Sequence, residues 1–160
     1  MNVGKYRTII IVTYLFITVD LLFNTLSTVT HIHNEHELLI YVIQDVLQVF
    51  AIFMMFLLLF NTYVFQAGLV GLLLSIYKAP IIISIFYLGL SIPLHTFFLK
   101  RRWDDPYVYM WDDSLLALFI FHRLTGVLHY YFFKRMVFTL SDPKYYSDSS
   151  WLREEMNKRK

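Results

Sequence analysis

Leu38–Phe60 reads LLIYVIQDVLQVFAIFMMFLLLF, an apolar run of 23 residues that carries Gln44 and Asp45 within it. A helix rises about 1.5 Å per residue and the hydrocarbon core of a bilayer is about 30 Å thick, so this run is long enough to cross it. No water reaches backbone groups there, and an α-helix bonds them all within one segment. The expectation is a transmembrane helix.

The same pattern occurs three more times, giving spans of about 8–29, 38–60, 79–99 and 115–136. The chain has 160 residues and is 58% hydrophobic, above the about 45–50% usual for a soluble domain. The fold class that follows is all-α: a polytopic membrane protein with a four-helix transmembrane bundle over residues 1–136. Residues 137–160 form a polar tail with a short terminal helix. No length remains for a second soluble domain.

Lys5 and Arg7 precede the first run, as in a signal peptide, but no small-residue cleavage site follows and the run continues past Asp20. An uncleaved span is expected. After Phe60 the chain stays apolar from Val64 to Tyr77, broken by Gln66, Gly68 and Gly71. One continuous helix over Leu38–Tyr77 would be about 60 Å long. A break at Gln66–Gly71 is expected, followed by an amphipathic or re-entrant segment. Pro80 suits the first turn of the third helix, and Pro93 should kink it. Trp103, Tyr107, Tyr109 and Trp111 suit a headgroup layer. In the tail, Asp142-Pro143 reads as a turn. Ser150 is a candidate cap for a last helix with Glu154 and Glu155 early and Lys158 to Lys160 at its end.

Lys and Arg set the orientation. Lys5, Arg7, Lys78, Lys134, Arg135, Lys144, Arg153, Lys158, Arg159 and Lys160 fall on one side of a four-span chain; Lys100, Arg101 and Arg102 fall on the other. The positive-inside rule then places both termini in the cytosol. The net charge of +2 and the placement of the cations at membrane edges argue against a nucleic-acid surface. There is no cysteine, which excludes disulfides, thiolate nucleophiles and Cys-based metal sites, and no Asn-x-Ser/Thr acceptor.

Asp20, Gln44, Asp45, His95, His122, Arg123 and His129 lie within the spans. Such groups usually face the bundle interior and find partners there. Asp20 and Arg123 both fall about 13 Å deep by residue count, and Asp45 one turn shallower. An Asp20–Arg123 pair, or a triad with Asp45, is therefore expected, because a guanidinium can bond both carboxylates. It reads either as a device that fixes helix register or as part of an ion path. His95 and His129 read as locally bonded. His31, His33 and His36 with Glu35 and Glu37 form a weak metal-binding candidate on a short loop. Tyr145, Tyr146, Trp151 and Leu152 read as interfacial anchors or as a docking motif. No HExxH, GxSxG or P-loop occurs.

Several stretches together resemble the transmembrane protein 138 family of eukaryotic four-span ciliary proteins. They are Asp20-Leu21, Val42 to Asp45, Phe60 to Val70, Leu90-Ser91-Ile92 with Leu94-His95, Arg102-Trp103, and Trp111 with the acidic residue after it. Phe121, Arg123-Leu124, Phe132 to Arg135, Asp142-Pro143 and Tyr146 to Arg153 continue the match. The chain departs at Pro93, at His122 in place of glutamine, at Ser141 in place of glycine, and across the first loop. The resemblance implies a non-enzymatic scaffold or assembly factor for cilium biogenesis. It would act at the ciliary base or transition zone and in vesicle or vacuole membranes, without cofactor. Expected partners are the lipid bilayer and other membrane proteins of a ciliary complex, with no nucleic acid and no small-molecule substrate. Asp20, Asp45 and Arg123 would hold the bundle. Asn61, Gln66, Gly68, Asp142, Pro143, Trp151 and Arg153 would contact partners. The alternatives are a small transporter or channel subunit using the Asp–Arg cluster, and a membrane-embedded enzyme.

Overall fold

The computed structural model describes residues 3–29, 34–103, 112–146 and 149–158. Within them run α1 (Val3–Val29), α2 (Asn34–Phe60), α3 (Tyr63–Gln66), α4 (Val70–Ile76), α5 (Lys78–Arg102), α6 (Asp113–Leu140) and α7 (Ser150–Asn157), with a 3₁₀ turn at Pro143–Tyr145. The described residues contain no strand. Four helices are long and apolar enough to cross a membrane, over Arg7–Leu26, Glu35–Phe60, Lys78–Arg102 and Asp113–Leu140. α1 packs on α2, α2 on α5, and α5 on α6. Ile11, Leu22, Phe53, Ile85 and Val127 project outward, where lipid would meet them.

Local chemistry explains the helix ends. α2 begins at Asn34, so Glu35, His36 and Glu37 belong to its first turn and not to a loop. Acidic groups there complement the helix dipole. His31 and His33 lie outside the described residues, as do Tyr107, Tyr109 and Trp111. At the other end of α2, Asn61 Nδ2 donates to Leu57 O at 2.7 Å and Thr62 Oγ1 to Leu59 O at 2.7 Å. The same two carbonyls also accept from the Asn61 and Thr62 backbone N–H groups, so each side chain reinforces its own backbone bond at the helix end. Thr62 Oγ1 then accepts from Phe65 N, capping α3.

The break expected at Gln66–Gly71 is present, and a second one precedes it at Asn61-Thr62. α3 closes with a Schellman motif: Gly68 N donates to Phe65 O at 2.9 Å and Leu69 N to Val64 O at 3.1 Å. Gly68 sits at φ +78°, in the left-handed region. Its missing Cβ would meet nothing within 4 Å, so only the backbone demands glycine. Gly68→Ala should therefore destabilise by about 1–2 kcal/mol, and Gly68→Asn by less. Thermal unfolding in detergent checks this; a Gly68→Ala midpoint equal to that of the parent protein would contradict the assigned turn.

α5 runs through Pro93 as one helix, with Pro80 in its first turn as expected. α6 continues to Leu140, past the expected end near Met136, because Val137 and Leu140 are buried in a large apolar cluster. That cluster joins Met55 and Leu58 of α2, Val64 of α3, Leu73 of α4, and Tyr145 and Leu152 of the tail. It fills the tail end of the bundle. α7 is capped by Ser149, one residue earlier than expected, through Leu152 N to Ser149 Oγ at 3.2 Å.

Candidate functional site

The loop end and middle of the bundle are built differently from the tail end: their interior is polar. Each span carries its polar side chains at helical spacing. Thr13, Asp20 and Asn24 line α1; Glu37, Gln44 and Gln48 line α2. Ser84, Tyr87, Ser91 and His95 line α5; His122, Thr125 and His129 line α6. All are buried. This spacing turns them to the bundle axis.

Asp20 is the hub. Its Oδ1 accepts from Gln48 Nε2 at 3.0 Å, and its Oδ2 accepts from Tyr87 OH at 2.9 Å and Tyr130 OH at 2.6 Å. One side chain of α1 is thereby tied to α2, α5 and α6. Asn24 Nδ2 donates to Tyr87 OH at 2.5 Å, one turn further along α1. Tyr87 is 1% exposed, its ring stacked between His122 (4.8 Å) and His129 (5.2 Å). Gly126 permits this: a Cβ there would stand 3.2 Å from Tyr87 Cε2.

Above and below the hub, the histidines have their own partners. Asp45 Oδ1 lies 2.9 Å from His95 Nδ1, and the His95 ring stacks on Tyr41 at 4.4 Å. Ser91 Oγ lies 2.8 Å from His122 Nε2. Ser84 Oγ gives its single proton to Pro80 O, so it accepts from His129 Nδ1 at 3.0 Å, which fixes that tautomer. Glu37 Oε1 and Arg102 Nη1 form a buried ion pair at 2.5 Å at the loop end. An exposed pair, Arg101–Asp112, lies nearby.

The expected Asp20–Arg123–Asp45 grouping is not the arrangement found. Asp20 bonds amide and phenol groups, and Asp45 bonds His95. Arg123 donates to the carbonyl oxygen of Asn24 and lies 4.8 Å over the Phe119 ring. Depth placed them near one another, but the angular position of each side chain about its helix sent them to different partners.

Most residues expected to contact partners are engaged within the chain. Asn61 and Gly68 shape the α2–α4 turns. Asp142 Oδ1 accepts from Lys144 N at 3.0 Å, and Pro143 opens the 3₁₀ turn. Trp151 packs edge-on against Tyr145, with Lys144 Nζ 5.6 Å over its ring. Tyr145 and Leu152 are buried in the tail-end cluster, so this part of the tail anchors to the bundle. Gln66 and Arg153 are exposed. The Lys144 backbone N–H, aided by the Lys144 side chain, holds the Asp142 carboxyl below its ordinary value of 3.8. A depressed carboxyl stabilises the turn above that ordinary value, and the contribution is lost as pH falls through the lowered one. Asp142→Asn should abolish the loosening of the tail in acid; amide exchange at Lys144 and Tyr145 is the readout. A wild-type turn that stays equally protected at low pH would refute it.

Among the described residues no group of three or more His, Cys, Asp or Glu could hold a metal ion. Glu37, once in the helix, pairs with Arg102 instead.

Four apolar helices tied together by a buried polar network make this a polytopic all-α membrane protein. The chain belongs to the transmembrane protein 138 family, whose sequence model, described as Transmembrane protein 138, matches residues 37–155. It is 40% identical over 155 residues to Transmembrane protein 138 of Mus musculus, covering 97% of this chain and 96% of that one. For the Xenopus tropicalis protein of the same name the figures are 38% over 152 residues, 95% and 94%. For that of Danio rerio they are 38% over 154 residues, 96% and 95%. No solved structure matches the chain.

Proposed function

We propose that this chain is a non-enzymatic membrane scaffold that supports cilium biogenesis. It would act at the ciliary base or transition zone, and in vesicle or vacuole membranes that traffic to it, in assembly with other membrane proteins. The observation that carries the scaffold reading is the hub at Asp20, whose three hydrogen bonds join α1 to each of the other three spans. A carboxylate bonded to a tyrosine pair and an amide holds helices in register. Both of its oxygens are already engaged by donors on neighbouring helices. The ciliary destination comes from the family resemblance alone. The distribution of Lys and Arg supports both termini in the cytosol.

A C-terminally tagged copy in a ciliated cell tests the reading. Signal at the ciliary base or in vesicles converging on it is the expected result. Signal spread over membranes unrelated to the cilium would sink it. Selective permeabilisation of the plasma membrane should expose the tag to antibody if the tail is cytosolic.

The polar column favours a second reading, a small transporter or channel subunit. From Glu37–Arg102 through Asp45–His95 to His129–Ser84, polar groups follow one another into the bundle. The column stops at the apolar cluster of Met55, Leu58, Phe133, Met136 and Leu140, where a hydrated path would need polar lining. Proton flux in proteoliposomes that disappears with Asp20→Asn would favour this reading over the scaffold.

A further inference from the structure

At the tail-end edge of the membrane, a cleft of about 250 Å³ opens between the start of α5 and the end of α6. It has two kinds of wall. Ala79, Pro80 and Phe132 supply an apolar side, and Arg135 and Thr139 a polar one. Arg135 has no carboxylate within ion-pair distance among the described residues, and neither has Lys78, the first residue of α5, which lies in the chain between the cleft residues Tyr77 and Ala79. Lys134 stands beside Arg135, its Nζ 5.8 Å over the Phe138 ring. The positive end of the α5 dipole points the same way. One guanidinium, a hydroxyl and a helix start thus border a half-polar cleft at the level where a span meets the headgroups, and Lys78 and Lys134 add positive charge around it without lining it.

We propose that this cleft binds the headgroup of an anionic glycerophospholipid. Arg135 would take the phosphate in its planar fork, and the glycerol end would lie along Ala79, Pro80 and Phe132. The chemistry fits each wall. A guanidinium bonds phosphate oxygens in pairs. Basic pockets between spans on the cytoplasmic side are suited to phosphorylated headgroups. An entirely soluble anion would have no use for the apolar wall, and a neutral lipid none for the guanidinium. The site stands apart from the Asp20 hub, and its existence does not depend on the scaffold role.

The full chain purified in neutral detergent allows a direct test by thermal unfolding. Phosphatidylinositol 4-phosphate should raise the midpoint saturably, by about 5 °C at a hundredfold excess over half-saturation. Phosphatidylcholine should not. Arg135→Gln should weaken half-saturation at least tenfold. Lys158→Gln, which removes one charge from the exposed end of α7, should leave it unchanged. Ala79→Leu keeps every charge but fills the cleft, and should also weaken the lipid effect if Arg135→Gln does not fold. Equal stabilisation by phosphatidylcholine would overturn the proposal, as would a lipid response that survives both Arg135→Gln and Ala79→Leu. Equal stabilisation by inorganic phosphate alone would overturn the lipid assignment in favour of a free-anion site.

Discussion

Asp20→Ala should destabilise the bundle by about 3–5 kcal/mol, because it removes the shared acceptor of three buried donors in a medium that supplies no substitute, and the 3.4 Å contact between Tyr87 OH and Tyr130 OH can re-pair only one of them. The donors are Gln48 Nε2, Tyr87 OH and Tyr130 OH, on three different helices. Total stabilities are commonly about 5–15 kcal/mol, so a loss of this size should reduce cellular abundance several-fold. Asp20→Asn should fall between, since an amide keeps one acceptor oxygen but turns a donor toward the tyrosines. Adding Arg123→Gln to Asp20→Asn should give no rescue. Arg123 bonds the Asn24 carbonyl and Phe119, so neutralising it removes a second set of contacts and repairs none. Abundance by immunoblot and unfolding midpoints in detergent measure both points. Full recovery in the double variant would restore a direct Asp–Arg pair as the correct description.

The second large effect concerns Glu37 and Arg102. Their side chains are 4% and 9% exposed, and they face one another at 2.5 Å. Truncating either to alanine strands a charge in the bundle, which typically destabilises by about 3–5 kcal/mol. Replacing both, as Glu37→Leu with Arg102→Met, should be close to neutral or stabilising. Two atoms of the pair, Glu37 Oε2 and Arg102 Nε, have no hydrogen-bond partner among the described residues. The pair therefore recovers only part of its desolvation cost, and an apolar substitute has less to match. A double-variant cycle on unfolding midpoints checks this. Single variants as stable as the parent would show that the pair is solvated.

Much of this is legible in the sequence. Run length identifies the four spans, and depth counting puts Asp20 and Arg123 at one depth, whereas Arg123 bonds at Asn24, four residues further along α1. The expectation that ionisable groups in spans turn inward holds for Asp20, His95, His122 and His129, all buried. The pairing is not legible. It depends on which helix neighbours which and on the rotation of each about its axis, and neither quantity is written in a single chain. Tyr87 and Tyr130 escape notice because a tyrosine within an apolar run looks like any aromatic ring; only a nearby carboxylate makes it a donor. Glu37 escapes for a simpler reason: its polar neighbours make it look like loop. Once α2 begins at Asn34, Glu37, Tyr41, Gln44 and Gln48 form one stripe at intervals of three or four residues, a signal present in the sequence throughout. The conspicuous Asn61–Val70 block reads as a contact surface. A side-chain amide, a hydroxyl and a glycine in that order also write a helix stop, a restart and a reversal, and that is where the structure puts them.

Biosynthesis meets the hub one partner at a time. The three groups that bond Asp20 follow it by 28, 67 and 110 residues in the chain. α1 is also the span least enclosed by its neighbours, with 17% of its apolar window buried against 28–33% for the others. Until α5 is inserted, the carboxylate near mid-depth on the first helix has Gln48 alone of its three donors, and until α6 follows it lacks Tyr130. Nascent chains stopped after α2 leave Asp20 Oδ2 without either phenol, and should be shorter-lived for this reason than chains stopped after α5. Completion of the last span supplies Tyr130, the final donor, and closes the hub across all four spans.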